Sequence, residues 1–295
     1  MVQRLSVSRV IFLIIACIIL IAVVLVCFVP FWHVLMASIS NPTQLTVNKG
    51  MVLLPLGNID LQAYKIIGNY QKLWVGYRNT ILYIVGQCII TGILTVMAGF
   101  IFSRKRFYYR NSFMLFISFT MLFNGGMIPT FMVVRNLGII DTPLAMLLPN
   151  ALSVFNIILM RTSMQGISDD LEDAARVDGA GDFTVMFKIL LPLCKATFAV
   201  IMLFTAVGKW NDYMSALLYL PTRKDLYPLQ MVLRTLLAQS TKEITSATDA
   251  ISGMSLYARN VEYAAIMATT VPILCIYPFV QKYFVTGVTL GAVKS

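Results

Sequence analysis

Residues 10–36 form an apolar run behind Arg4 and Arg9. The run exceeds the about 7–15 residues of a signal-peptide core and is long enough to cross a bilayer as one helix. In hydrocarbon, every backbone N–H and C=O must find its partner inside the chain, so a sequence with several such runs is confined to a bundle of helices or a closed barrel. Further apolar stretches at about 79–102, from Ser112 onward, at 143–161, from Pro192 to about Leu220 and at 261–284 are of helical length. They predict an all-α membrane protein with six transmembrane helices, in one domain covering residues 1–295. Only 12% of the residues are charged, against about 25% in soluble domains.

The net charge of +10 needs a location before a meaning. Arg104, Lys105, Arg106 and Arg110 crowd one short loop between apolar stretches, which marks it as cytoplasmic and places both termini on that side. Nucleic-acid binding is the competing use of such a cluster, and inside a polytopic chain it is set aside. Cys17, Cys27, Cys88, Cys194 and Cys275 are scattered without a CxxC or metal-like spacing, so neither a disulfide framework nor a metal site is indicated. The single histidine, His33, reads as a packed or interfacial residue rather than a proton relay. Segments 40–76 and 221–260 are assigned to the outside. Ile59, Leu61, Tyr64 and Trp74 are expected to pack the first, and a helix around 226–239 is expected in the second. Asn124-Gly125-Gly126 interrupts the third stretch, either as a helix end or as a wall of a pathway.

Two polar constellations stand out. Lys209-Trp210-Asn211-Asp212 lies within the fifth stretch, where a charge is costly unless paired or facing water. Lys209 and Asp212, three residues apart, can pair with each other. The group can also line an aqueous path together with Asn150 and Asn156, and both readings stand at this point. The second constellation is residues 168–196, which hold six of the thirteen carboxylates. Asp169 is expected to cap a first short helix, with Glu172 completing a capping-box-like pair and bonding Arg176 at i,i+4. Gly179 and Gly181 supply left-handed residues for a sharp turn. Asp182 then caps a second helix with Phe183, Met186, Phe187 and Leu190 on one face, and Pro192 suits the first turn of the next helix.

The spacing Asp173-Ala174-Ala175, Gly179, Ile189-x-Leu191-Pro192 resembles the EAA loop of ABC importer permeases, with Asp173 where the family usually has Glu and Ala196 where a second Pro is frequent. Gly125–Thr130, Arg135–Gly138, Lys209–Tyr213, Tyr227–Arg234 and Gly287–Lys294 extend the likeness over essentially the whole chain, toward the carbohydrate permeases that handle complex oligosaccharides, some of them uronic-acid oligomers such as alginate or pectin fragments. The resemblance implies a type I importer fold. It also makes the loop a coupling helix docking on an ATPase through Glu172, Asp173, Ala174, Ala175, Asp178, Gly179, Ala180, Phe187 and Pro192. The partners it implies are a similar second permease, two copies of an ABC ATPase that bind the ATP and Mg, an external solute-binding protein and an oligosaccharide. This chain has no phosphate-binding loop of its own; Gly287-x-x-x-Gly291-x-x-Lys294 has the wrong spacing. No GxSxG, HExxH or Cys/His pair suggests an enzyme. An ion- or proton-coupled secondary transporter using Lys209 and Asp212 is the alternative.

Overall fold

The computed structural model describes residues 7–123, 125–245 and 254–292, with no strand among them. The helices are α1 (Val7–Ser38), α2 (Pro42–Val47), α3 (Gln62–Gly68), α4 (Gln71–Ser103), α5 (Arg110–Leu122), α6 (Met127–Asn136) and α7 (Pro143–Leu147). They continue with α8 (Val154–Gln165), α9 (Asp169–Val177), α10 (Asp182–Leu193, widened to a π-helical turn over Val185–Leu190), α11 (Lys195–Trp210), α12 (Met214–Tyr219), α13 (Leu229–Thr245) and α14 (Met254–Ala292). The all-α expectation holds. Among the described residues, three helices are long and apolar enough to cross a membrane, or up to five if each bent pair, α5 with α6 and α10 with α11, makes one span.

The chain divides into two compact units. In the first, residues 1–70 and 235–272, the end of α1 is anchored while most of its length is not. Met36 and Ala37 bury against Leu45 and Val52, with Trp32, Leu56 and Tyr263 around them. His33 is packed: its Nδ1 accepts the Val52 N–H at 2.9 Å and its ring meets Tyr263 edge-on. Asn41 caps α2 through its side chain, and Asn260 donates to the Ser40 carbonyl at 2.7 Å. Tyr64 packs as expected and bonds Ser38, but Ile59, Leu61 and Trp74 stay exposed in this chain. Among the described residues, none in the most apolar window of α1 is buried.

The second unit, residues 71–234 and 273–295, is built around α4. This helix begins at Gln71 rather than 79 and packs chiefly against α8 and α11. Glycine makes that approach possible: a Cβ at Gly99 would sit 2.7 Å from Met160 Cγ. Val96, Met160, Met164, Val185, Met186, Leu190 and Ile201 form the core beneath. A polar stripe on α4 satisfies backbone that its neighbours leave open. Asn79 donates to the Asp225 and Tyr227 carbonyls, and Tyr83 to Leu226. Gln87 donates to the Asn150 carbonyl and Thr91 to Ala151. The fourth apolar stretch is therefore broken between α7 and α8, around Pro149-Asn150, where α4 side chains replace the missing helical bonds.

The other boundaries shift too. The fifth stretch starts with an 86° bend between α10 and α11 and ends as a long helix at Trp210 instead of Leu220. The helix expected at 226–239 runs over Leu229–Thr245, and the last helix continues through Pro272 and Pro278. The third stretch breaks at Gly126, whose φ of +89° only glycine adopts readily; Asn124 lies outside the described residues. From the level of Asn79, two turns inside its start, to its end at Ser103, α4 rises roughly 36 Å at about 1.5 Å per residue. Asp141, Tyr219 and Asp225–Tyr227 gather at the first end, joined by the Asp141 N–H to the Tyr219 carbonyl. Phe102, Asn111 and Arg161 gather at the second, where Arg161 donates to both. The segments 110–139, 142–161 and 182–219 therefore each run from one end of α4 to the other.

Candidate functional site

Residues 168–193 fold as two short helices around a tight turn, which is the expected outline with different caps. Ser168, not Asp169, caps α9 by accepting the Asp170 N–H. Glu172 makes no capping box; its carboxylate bonds Arg176 at 2.6 Å and Arg104 at 3.2 Å. Gly179 is left-handed at φ +84°, but Gly181 is extended at φ −76° and acts as the N-cap of α10. Asp182 is the first helical residue, paired with Arg176 at 2.5 Å. The buried face of α10 is Val185, Met186 and Leu190, while Phe183 and Phe187 point outward. The π turn explains the difference, because it shifts side chains off the 3.6-residue register.

The knob thus presents Asp173, Ala174, Asp178, Gly179, Phe187 and Pro192 to the surroundings, with Ala175 and Ala180 half-buried behind them. Exposed Leu171, Val177, Phe183 and Leu193 add apolar surface to a segment otherwise rich in carboxylates. Glu172 is the exception, only 9% exposed and turned into the protein. The Lys105 ammonium holds the Asp169 carboxyl below the usual carboxylate range, by hydrogen bond first and by charge second, with Arg104 and Arg110 adding to the effect.

About midway along α4 lies a cavity of about 590 Å³, lined by Gln87, Thr91, Asn150, Ser153, Phe155, Asn156, Phe204, Thr205, Gly208, Lys209 and Asp212. Four sequence candidates, Lys209, Asp212, Asn150 and Asn156, meet there. Lys209 and Asp212 pair at 2.8 Å, and the ammonium also donates to the Met146 carbonyl. Asp212 completes its bonding by accepting the Ser215 N–H. The cluster is therefore both paired and cavity-lining, and its two charges cancel. Trp210 and Asn211 do not reach the cavity: Trp210 is buried edge-on to Tyr77, and Asn211 ends α11 by bonding the Val207 carbonyl. Gln87, Thr91, Ser153 and Thr205 were not among the candidates. Polar residues spaced four apart on an apolar helix, 87 and 91, are the signal that finds the first two. No cluster that would hold a metal occurs among the described residues.

A cavity with amide, hydroxyl and aromatic side chains in its wall midway along a helix pack, together with an acidic helix–turn–helix knob at one end, is what a transport subunit driven from one side requires. A family model described as the inner membrane component of binding-protein-dependent transport systems matches residues 73–290. The chain belongs to this family. As a permease it is 36% identical, over 92% of its length and 94% of the relative's, to the polygalacturonan/rhamnogalacturonan transport system permease protein YtcP of Bacillus subtilis. It is 26% identical to the arabinooligosaccharides transport system permease protein AraQ of Halalkalibacterium halodurans, over 90% of this chain and 91% of that one. Among solved structures it superposes with TM-score 0.85 and 34% identity on a bacterial ABC transporter involved in the import of the acidic polysaccharide alginate, covering 96% of this chain and 99% of that one. The permease therefore has the type I ABC permease fold and is a transport subunit of the inner membrane, not an enzyme. The family match also removes the ion-coupled secondary transporter as an alternative.

Proposed function

We propose that this permease forms, with a similar second permease, the translocation path of an importer for complex oligosaccharides. Two copies of an ABC ATPase drive it, and an external solute-binding protein delivers the sugar to segments 40–76 and 221–260. In this reading the single permease domain has six spans with both termini cytoplasmic. Residues 104–110 and 168–193 face the cytoplasm, and the ATPase docks on Asp173, Ala174, Ala175, Asp178, Gly179, Ala180, Phe187 and Pro192. The coupling knob is a rigid, exposed element that a partner can push. Closing of the ATPase dimer on ATP then selects one of two permease states, and the sugar crosses by alternating access.

The observation that carries the substrate class is the cavity lining. Gln87, Thr91, Asn150, Ser153, Asn156 and Thr205 bring amide and hydroxyl groups to a wall that Phe155 and Phe204 share, and the charges of Lys209 and Asp212 in it neutralise each other. Such a wall exchanges hydrogen bonds with hydroxyl-rich ligands without holding any one of them tightly. The relatives are named for the transport of polygalacturonan/rhamnogalacturonan, of arabinooligosaccharides and of alginate, which supports complex oligosaccharides, uronic-acid fragments included.

The test is affinity purification of this chain from its native membrane beside Gly179→Asp. A second permease and an ATPase should accompany the wild type. The substitution forces a side chain into a left-handed residue at a cost of about 1–2 kcal/mol and adds charge at the dock, so the ATPase should fall away while the second permease stays. A wild-type chain that emerges without an ATPase, or a mutant that keeps its ATPase and full transport, contradicts the docking role.

A further inference from the structure

We propose that Arg104 is the pin that joins the coupling knob to the cavity-lining helices, with Glu172 as its counter-charge, so that the knob, α4 and α8 move as one lever. The inference rests on the reading that residues 168–193 dock the ATPase. It changes the role of Glu172, which belongs to the transmission inside the permease and not to the docking surface.

The Arg104 guanidinium is almost fully buried, and each of its nitrogens is engaged. Nε donates to Ser103 Oγ at 3.0 Å, and Nη2 to the Met164 carbonyl at the end of α8 at 2.5 Å. Nη1 reaches Glu172 on α9 at 3.2 Å and Asp169 at 3.5 Å. Glu172 passes the contact on to Arg176, and Arg176 to Asp182 at the start of α10. One chain of charges therefore ties the end of α4, the end of α8 and both knob helices. The planar, permanently charged guanidinium suits this task, because it offers donors in several directions from one rigid group.

The burial decides how this joint responds to force. Exposed pairs such as Lys105–Asp169 are screened and make and break at little cost. Pulling the knob away from Arg104 instead withdraws Glu172 and the more distant Asp169 together and leaves a buried cation without counter-charge, which is strongly unfavourable. A push on the knob is therefore delivered to α4 and α8 before the joint yields. The same two helices carry Gln87, Thr91 and Asn156 in the cavity wall, and Gly99 lets them pack in direct contact between the two sites.

The experiment uses the complete importer in nanodiscs, with spin labels carried by unnatural amino acids at Val177 on the knob and Ile93 on the outer face of α4. Both side chains are exposed. Distances are compared without nucleotide and with ATP trapped by a hydrolysis-deficient ATPase. The lever predicts one narrow distance common to both states, while the surroundings of Val177 change on ATP binding. In Arg104→Gln and in Glu172→Gln the distribution should broaden, and sugar moved per ATP hydrolysed should fall about tenfold with the ATPase still bound. The double variant should be no worse than either single one, and Arg104→Lys should recover part of the loss. A wild-type distance that shifts on ATP binding overturns the lever, and so does unchanged sugar per ATP in Arg104→Gln. If Arg104→Gln does not assemble, the wild-type distance decides alone. A Val177 environment blind to ATP would instead sink the docking reading on which the proposal stands.

Discussion

At the scale of single residues, buried charge sets the terms. Lys209 and Asp212 pair inside the cavity wall with side chains 4% and 14% exposed. Removing one partner strands the other, at about 3–5 kcal/mol. Lys209→Met should therefore lower the unfolding temperature of the purified permease by several degrees, and the double substitution Lys209→Met/Asp212→Leu should recover most of the loss. Equal damage in single and double variants would show that the Met146 carbonyl bond, and not the pair, matters. The sequence announced this pair through its i,i+3 spacing, as it announced Glu172–Arg176 at i,i+4 and the left-handed Gly179. It did not announce Arg104–Glu172, because the two lie 68 residues apart and no local periodicity relates them. It also misassigned the caps: Ser168 and Asp169 are both good N-cap types, and the choice between them is made by Lys105, which draws the Asp169 carboxylate away.

At the scale of elements, α4 does two jobs with opposite demands. Its small residues admit neighbouring helices, and its polar stripe repairs their broken backbone. Gly99 tests the first: a larger side chain meets Met160 Cγ at 2.7 Å and Cβ at 2.9 Å, so α8 must move away. Gly99→Val should cost about 1–3 kcal/mol by overpacking, read as a lower unfolding temperature with α-helical content unchanged. A neutral result would mean that α8 slides freely along α4. Apolar length predicted the existence of most of these helices. It could not predict that 143–161 and 192–220 are interrupted, since a break at membrane depth depends on partners supplied by another helix. The exposed Ile59 and Leu61 show the complementary failure, because an apolar residue reports a need for cover without saying where the cover is.

At the scale of the whole molecule, loops near opposite ends of the α4 pack are held by carboxylates whose acidity the fold strengthens. Lys105 lowers the Asp169 carboxyl at one end. At the other, desolvation raises the Asp141 carboxyl, but hydrogen bonds from the Thr222 hydroxyl and from the backbone of Arg223 and Thr222 outweigh it, and the net shift is downward. A carboxyl with a lowered folded pKa contributes stability above its unfolded value of about 3.9, and loses it as pH falls through the lower folded value. Both fastenings should hold from pH 5 to pH 8, and melting temperatures in detergent should begin to drop only below about pH 4. Asp169→Asn and Asp141→Asn should each flatten that acid limb. A loss already present at pH 6 would point to a different titrating group.

The stripe on α4 reaches carbonyl oxygens of Asn150, Ala151, Asp225, Leu226 and Tyr227, which every amino acid possesses. Those five positions are accordingly free to drift over evolutionary time as far as these bonds are concerned. Asn79, Tyr83, Gln87 and Thr91 are not, since each must supply a particular donor at a particular height. Comparison of many permeases of this kind should find the memory of the fold written on the unbroken helix and largely erased from the broken ones.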